Sequence, residues 1–180
     1  NWTGRCFRAR VRRIMTNLLP FAFLAILCVF FPVYKQETSL TNKNWKKTTK
    51  GEWIIKFYSD KCGACVQFQK EWLKFREKVE ELGFSVRLGE VNVDKEMELA
   101  IRFFVTSLPT LIWSDQGKFY VYTAGRSHSD LLEFAELGAK GKATEIPWFR
   151  APDSYGVRGL VSFLSVILKF QRFYQTFIEK

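Results

Sequence analysis

From residue 51 onward, hydrophobic and polar positions alternate between two rhythms. Residues 51–59, "GEWIIKFYS", form a β-branched and aromatic run broken by Lys56, and predict a strand buried on most of its surface. Between residues 63 and 82 the period lengthens. Val66, Trp72, Phe75 and Val79 recur at helical spacings, and Gly83 supplies a stop. "FSVRLGEVNV" returns to alternation with Val86, Leu88 and Val91 apolar, and Gly89 marks a kink in that strand. "DKEMELAIRFF" predicts a helix capped by Asp94. "SLPTLIWSD" reads as a short strand opened by Pro109, and "QGKFYVYTAG" as a turn at Gln116-Gly117 into another strand. "SHSDLLEFAELGAKG" opens on capping residues and closes on glycines, as a helix does. The order β, α, β, α, β, β, α predicts an α/β domain, a central mixed sheet flanked by helices on both faces.

The ends of the chain show other patterns. In residues 1–34, Arg5, Arg8, Arg10, Arg12 and Arg13 run into an uncharged apolar stretch, "LLPFAFLAILCVFFPVY". A basic head before an apolar run is the layout of a signal peptide or a signal anchor, and either one exports the residues beyond it. Residues 35–44 are polar and Lys-rich and read as a linker into a domain over 45–140. Residues 141–156, with Pro147 and Pro152, read as a second linker. In 157–180 a helical wheel gathers Arg158, Ser162, Ser165, Lys169, Arg172, Thr176 and Lys180 within about 80° and leaves the rest mostly apolar. Such a helix either docks its apolar side on the domain or lies in a membrane interface.

The net charge of +10 raises the question of a nucleic-acid partner. Its distribution excludes that class: residues 1–50 carry ten Lys/Arg against one acid, whereas residues 51–140 carry twelve against fourteen. A phosphate-binding domain places its positive stripe on the folded surface, and here the surplus lies outside it. Of four cysteines, Cys6 lies in the basic head and Cys28 in the apolar run, so Cys62 and Cys65 are left as the exported domain's thiols. A CxxC pair is a working dithiol, half of a metal site or a structural clip. Zinc requires three or four protein ligands. The exported part offers only His128 as a further soft ligand, and His128 reads better as a surface residue near a helix N-terminus. No metal and no cofactor is expected. A thiolate at the first turn of a helix is stabilised by the unpaired N–H groups there, so Cys62 is the candidate nucleophile and the more buried Cys65 the resolving cysteine.

"FYSDKCGAC" after a buried strand, "SLPT" about 45 residues later and "YTAGR" beyond it resemble, in combination, the thioredoxin fold in its protein disulfide isomerase branch. The likeness extends to the thioredoxin-related transmembrane proteins through "GEWIIKFYS" and the tail "FYQTFIEK", and implies that a membrane span comes after residue 180 and that residues 18–34 are a cleaved signal. The resemblance implies a redox-active Cys62–Cys65 disulfide, a cis-Pro109 facing the dithiol, and the Leu108 and Thr110 backbone beside the bound substrate chain. It also implies that Arg126 swings toward Cys65 and lowers its pKa. Two residues depart from the pattern. Lys56 stands where the family has a buried acid that accepts the resolving cysteine's proton, and either snorkels to solvent or holds a charge that favours the thiolates. Lys61 replaces the usual Trp. The expected function is thiol-disulfide exchange with client proteins, membrane-bound or membrane-proximal, in the lumen of the endoplasmic reticulum. The alternative is a redox-weak client-binding chaperone or adaptor.

Overall fold

The computed structural model describes residues 38–138 and 142–178; the basic head, the apolar run, Cys6, Cys28 and Lys180 lie outside them. A six-stranded mixed sheet organises the domain, in the order β1-β3-β2-β4-β5-β6. Strands β1 (Thr38–Ser39), β3 (Arg87–Asn92) and β2 (Glu52–Tyr58) are parallel, and β4 (Thr110–Asp115), β5 (Lys118–Tyr122) and β6 (Ala143–Glu145) continue the sheet antiparallel. The β4–β5 hairpin turns at Gln116 and Gly117, both with positive φ, the backbone that a tight two-residue turn demands.

Alternation along β2 divides the interior in two. Trp53, Ile55 and Phe57 face a core that includes Leu40, Trp45, Leu99, Phe103 and Ile112. Ile54 faces the other core, against α1 (Gly63–Glu81) and α3 (His128–Leu137), with Phe68, Trp72, Phe75, Leu131 and Phe134. The period of two therefore sends Lys56 to the α1 side with Ile54. On β3 the same parity puts Leu88 and Glu90 on the α1 side and Val91 on the other. α3 is closed by a reciprocal cap in which Ser127 and Asp130 each accept from the other's backbone N–H.

Several elements differ from the sequence reading. Residues 35–44 hold an edge strand, Thr38–Ser39 paired with Gly89–Glu90, and then a buried Leu40. Residues 141–156 hold β6, paired to β5, and a 3-10 turn, Trp148–Arg150. Strands of two or three residues carry too little alternation to be read from the chain. On α1 the buried stripe is Cys65, Phe68, Trp72, Phe75 and Val79, and Val66 is 61% exposed. Gly89 lies in a continuous strand without a kink; a Cβ there would stand 2.6 Å from Leu40 Cδ1, so it is small to admit that side chain. Helix α2 (Met97–Arg102) starts after Glu96 without a side-chain cap; Asp94 lies two residues before the capping position and accepts from Ser59.

The last helix, α4, spans Tyr155–Ile178. Val157 and Val161 are buried, and Arg102 ties the helix's approach by donating to the Pro152 carbonyl at 3.0 Å while stacking on Trp45. Phe163, Val166, Phe170, Phe173 and Tyr174 remain exposed. Among the described residues, no helix is long and apolar enough to cross a membrane.

Leu40 and Gly89 form a matched pair across the β1–β3 edge. Leu40→Ala is expected to cost about 2–5 kcal/mol, and Gly89→Val about 1–3 kcal/mol by overpacking. Urea unfolding of the double variant should show less destabilisation than the sum of the single changes, because the added methyls occupy the vacated space.

Candidate active site

The carboxyl end of β2 turns through residues 59–61 into α1, and Cys62 stands at the junction as the helix N-cap, with extended backbone (φ −90°, ψ 112°). Its sulfur accepts the backbone N–H of Cys65 at 3.2 Å. Cys62 is partly exposed, Cys65 one turn on is buried, and both are free thiols. The Cys62 pKa is lowered, first by the Cys65 thiol's hydrogen bond, then by the backbone N–H groups of Cys65 and Ala64, with Arg126 adding a distant positive charge and burial opposing. The Cys65 pKa is raised, first by burial and then by its hydrogen bond to Cys62, while the charge of Lys56 pulls the other way. The two thiols are thus pushed apart, which suits the outer one to attack and the inner one to wait.

The register Phe57↔Thr110 brings the start of β4 beside the end of β2. The Leu108–Pro109 peptide bond is cis, and the Cys62 thiol lies 3.8 Å from the Leu108 carbonyl oxygen. Thr110 turns its hydroxyl back to the Ser107 carbonyl, 2.7 Å away. Arg126 is exposed, and its charge helps to lower the Cys62 pKa. Lys61 is exposed too, its backbone N–H donating to Ser59 Oγ at 3.1 Å.

Lys56 does not snorkel. Its side chain is 1% exposed, and its ammonium pairs with the Glu90 carboxylate directly across the β2–β3 register. It also donates to Gln69 Oε1 at 2.8 Å and lies 4.9 Å from the ring centres of both Trp72 and Tyr58. An unpaired buried ammonium would be costly, and these partners replace its hydration. An open cavity of about 390 Å³ lies between β2, α1 and β3, lined by Ser59, Asp60, Cys65, Gln69, Lys70 and Glu90, among others.

A sequence model of the thioredoxin family matches residues 36–136, more than half of the chain. The chain belongs to the thioredoxin family. It is 37% identical over 95 residues to thioredoxin-related transmembrane protein 1 of Bos taurus, covering 53% of this chain and 34% of that protein. It is 34% identical over 128 residues to thioredoxin-related transmembrane protein 4 of Mus musculus, covering 71% of this chain and 37% of that one. The chain therefore spans about a third of the length of these curated relatives. Among solved structures, the J-Trx1 fragment of ERdj5 superposes with a TM-score of 0.52 at 25% identity, over 58% of this chain and 52% of that one. The first thioredoxin domain of mouse protein disulfide-isomerase A4 shares the fold, with a TM-score of 0.53 at 20% identity over 63% of this chain and 85% of that one.

Within this thioredoxin-family domain, a polar brace missed by sequence reading holds the dithiol loop. Ser59 Oγ donates to Asp94 Oδ2 at 2.7 Å, and Asn92 Nδ2 donates to Asp60 Oδ2 at 2.8 Å. The two loops at the carboxyl ends of β2 and β3 are thereby tied together beneath Cys62. Its members lie more than 30 residues apart, and no local pattern announces them. His128, at the start of α3, is partly buried. Its backbone N–H donates to Glu71 Oε2 at 2.9 Å, and its ring Nδ1 lies 2.6 Å from the same oxygen, clamping α3 to α1.

These environments set two measurable outcomes. Iodoacetamide should alkylate Cys62 at neutral pH at least about tenfold faster than Cys65, a ratio that mass spectrometry of the quenched reaction measures. Glu71 is held at about 2, below its ordinary 4.5, by the His128 backbone N–H first, then the His128 ring and Lys74. A depressed carboxylate stabilises the fold fully above its unfolded pKa and ceases to do so as pH falls through the folded one. The stability gap between wild type and Glu71→Gln in chemical denaturation should therefore be constant above pH 4.5 and close between there and about pH 2.

Proposed function

We propose that this thioredoxin-family protein is a thiol-disulfide oxidoreductase that exchanges disulfides with client proteins in the lumen of the endoplasmic reticulum, held at or near the membrane. The reading rests on one juxtaposition: a partly exposed, thiolate-favouring Cys62 at a helix N-cap, with the Leu108 carbonyl in front of it and the buried Cys65 thiol behind. The Cys62 thiolate attacks a client disulfide, releasing one client thiolate and forming a mixed disulfide. Cys65, deprotonated, then attacks Cys62, expels the second client sulfur and leaves a Cys62–Cys65 disulfide. The two cysteines lose two electrons, and the client disulfide gains them. The reverse sequence donates a disulfide. In this reading the Leu108 and Thr110 backbone lies beside the bound substrate chain at the start of β4, and exposed Val66 adds an apolar rim. Support for the compartment comes from the basic and apolar head of the sequence and from relatives named protein disulfide-isomerase.

α4 supports the membrane part of the reading. Val157 and Val161 occupy its docked edge, and Phe163, Val166, Phe170 and Phe173 share a separate exposed face beside the Arg158, Lys169 and Arg172 stripe. Aromatics next to basic residues on one helix are the composition of an interfacial helix.

Cys65→Ala should accumulate client proteins disulfide-linked to Cys62, visible on non-reducing gels and absent from Cys62→Ala/Cys65→Ala. Wild type should turn over a disulfide-bonded protein with glutathione as reductant, and Cys62→Ala should not. A wild type without turnover and an empty trap would return the domain to the redox-weak client-binding alternative. In flotation with anionic phospholipid vesicles, Phe163→Ser/Phe170→Ser should lower the bound fraction of the full chain by roughly tenfold or more, since each Phe forfeits apolar burial.

A further inference from the structure

Cys65 presents a chemical problem for the proposed reaction. It must lose a proton before it can attack, yet burial and its bond to Cys62 raise its pKa. In the family this sequence resembles, a carboxyl group carried by β2 accepts that proton, and at that position this chain has Lys56. The sheet register resolves the conflict. Lys56 lies directly opposite Glu90 on the parallel neighbour β3, both point to the α1 side, and the two are ion-paired.

We propose that Glu90 is the proton acceptor for Cys65 in the resolving step, with Lys56 as the positioning residue that keeps its carboxylate ionised and aimed into the cavity behind the dithiol. The proposal rests on the oxidoreductase reading and assigns a residue to it. Glu90 and Cys65 line the same cavity, from β3 and from the first turn of α1. Gln69, one turn after Cys65 on the same helix face, also lines it and accepts from the Lys56 ammonium at 2.8 Å. Cys65, Gln69, Lys56 and Glu90 thus form one connected group. The charged and titratable residues facing it are Tyr58 and Asp60 from the β2 side and Lys70 from α1. Asp60 is exposed and occupied with Asn92. The Glu90 side chain is 19% exposed, enough to pass a proton on to solvent.

In the resolving step the Cys65 S–H proton passes across the cavity to the Glu90 carboxylate. The Cys65 sulfur forms a bond to Cys62, the bond from Cys62 to the client sulfur breaks, and the client leaves as a thiolate. Protonated Glu90 then returns its proton to water. In the oxidising direction the same carboxyl group hands the proton back to Cys65. The carboxylate of the pair is carried by β3 and the ammonium by β2, and the carboxylate faces the inner thiol across the cavity that Glu90 and Cys65 both line.

An electrostatic role and a proton-accepting role predict opposite signs. If Glu90 acted only as a counter-charge, E90Q would leave the Lys56 charge stronger on Cys65 and speed its attack. As proton acceptor, its loss slows the attack. The test reacts the reduced full chain with glutathione disulfide, quenches in acid, and tracks the glutathione adduct on Cys62 by mass spectrometry across about pH 5 to 9. E90Q is expected to form the adduct at the wild-type rate and to resolve it roughly tenfold or more slowly at neutral pH, the deficit shrinking as rising pH ionises Cys65 unaided. The exchanged pair K56E/E90K, which keeps one carboxylate and one ammonium, should resolve within about threefold of wild type. If E90Q does not fold, the neutral pair K56Q/E90Q carries the same comparison. Resolution in E90Q or the neutral pair as fast as wild type, or a folded K56E/E90K as slow as E90Q, overturns the assignment. A wild type that forms no adduct at all sinks the oxidoreductase reading and the assignment with it. Normal wild-type turnover beside an unimpaired E90Q removes the assignment alone.

Discussion

The placement of β2 between β3 and β4 is the constraint on which the rest depends. It is hydrogen-bonded along both edges and covered on both faces by the two cores. A one-residue slip would exchange its two faces and drive Lys56 into the core of Trp45, Leu99, Phe103 and Ile112, away from Glu90. The fixed register has three consequences at once. Phe57 opposite Thr110 sets the Leu108–Pro109 bond beside the dithiol. Lys56 opposite Glu90 sets a charge pair behind it. The end of the strand launches α1 from Cys62.

The site asks the fold for asymmetry between two identical thiols, and the helix terminus supplies it. The capping position gives Cys62 free N–H donors and partial exposure, and one turn of helix takes Cys65 below the surface. The same helix that separates the thiols covers the Lys56 ammonium with Trp72 and Gln69. Packing and chemistry are therefore served by the same residues. A buried ion pair adds little to stability by itself, because desolvation offsets most of its attraction. Its retention under a reactive thiol fits a functional use better than a structural one.

The polar brace and the clamp show how a loop-borne site is kept rigid. Ser59 with Asp94 and Asp60 with Asn92 join consecutive strand ends, and Glu71 with His128 joins two helices. In the brace a buried group, Ser59 or Asn92, meets an exposed carboxylate, and the fixed hydrogen bond replaces the one that the buried group loses to solvent. At the far end of the domain, α4 shows the opposite condition. Its first turns are anchored, and its outer apolar face has no covering element within the described chain.

Much was legible in the chain because it depends on local rules. Periodicity gave β2, α1, β3, the β4–β5 hairpin and α3, and the placement of two cysteines at a strand-to-helix junction marked the dithiol without any contact being known. Local rules failed where a residue's role is set by a distant neighbour. Gly89 suggested a kink and instead makes room for Leu40, and Asp94 suggested a helix cap and instead braces Ser59. Thr38–Ser39 and Ala143–Glu145 are strands only because a sheet edge offers them partners. Val66 fell on a helical spacing, but only the assembled sheet decides which face of the helix is covered. Lys56 is the sharpest case: the sequence shows a charge inside an apolar strand, and nothing in its neighbours along the chain says whether it escapes to solvent. Tertiary structure decided that it stays, because register alone brings Glu90 within reach, and a buried charge persists only where an opposite one can meet it.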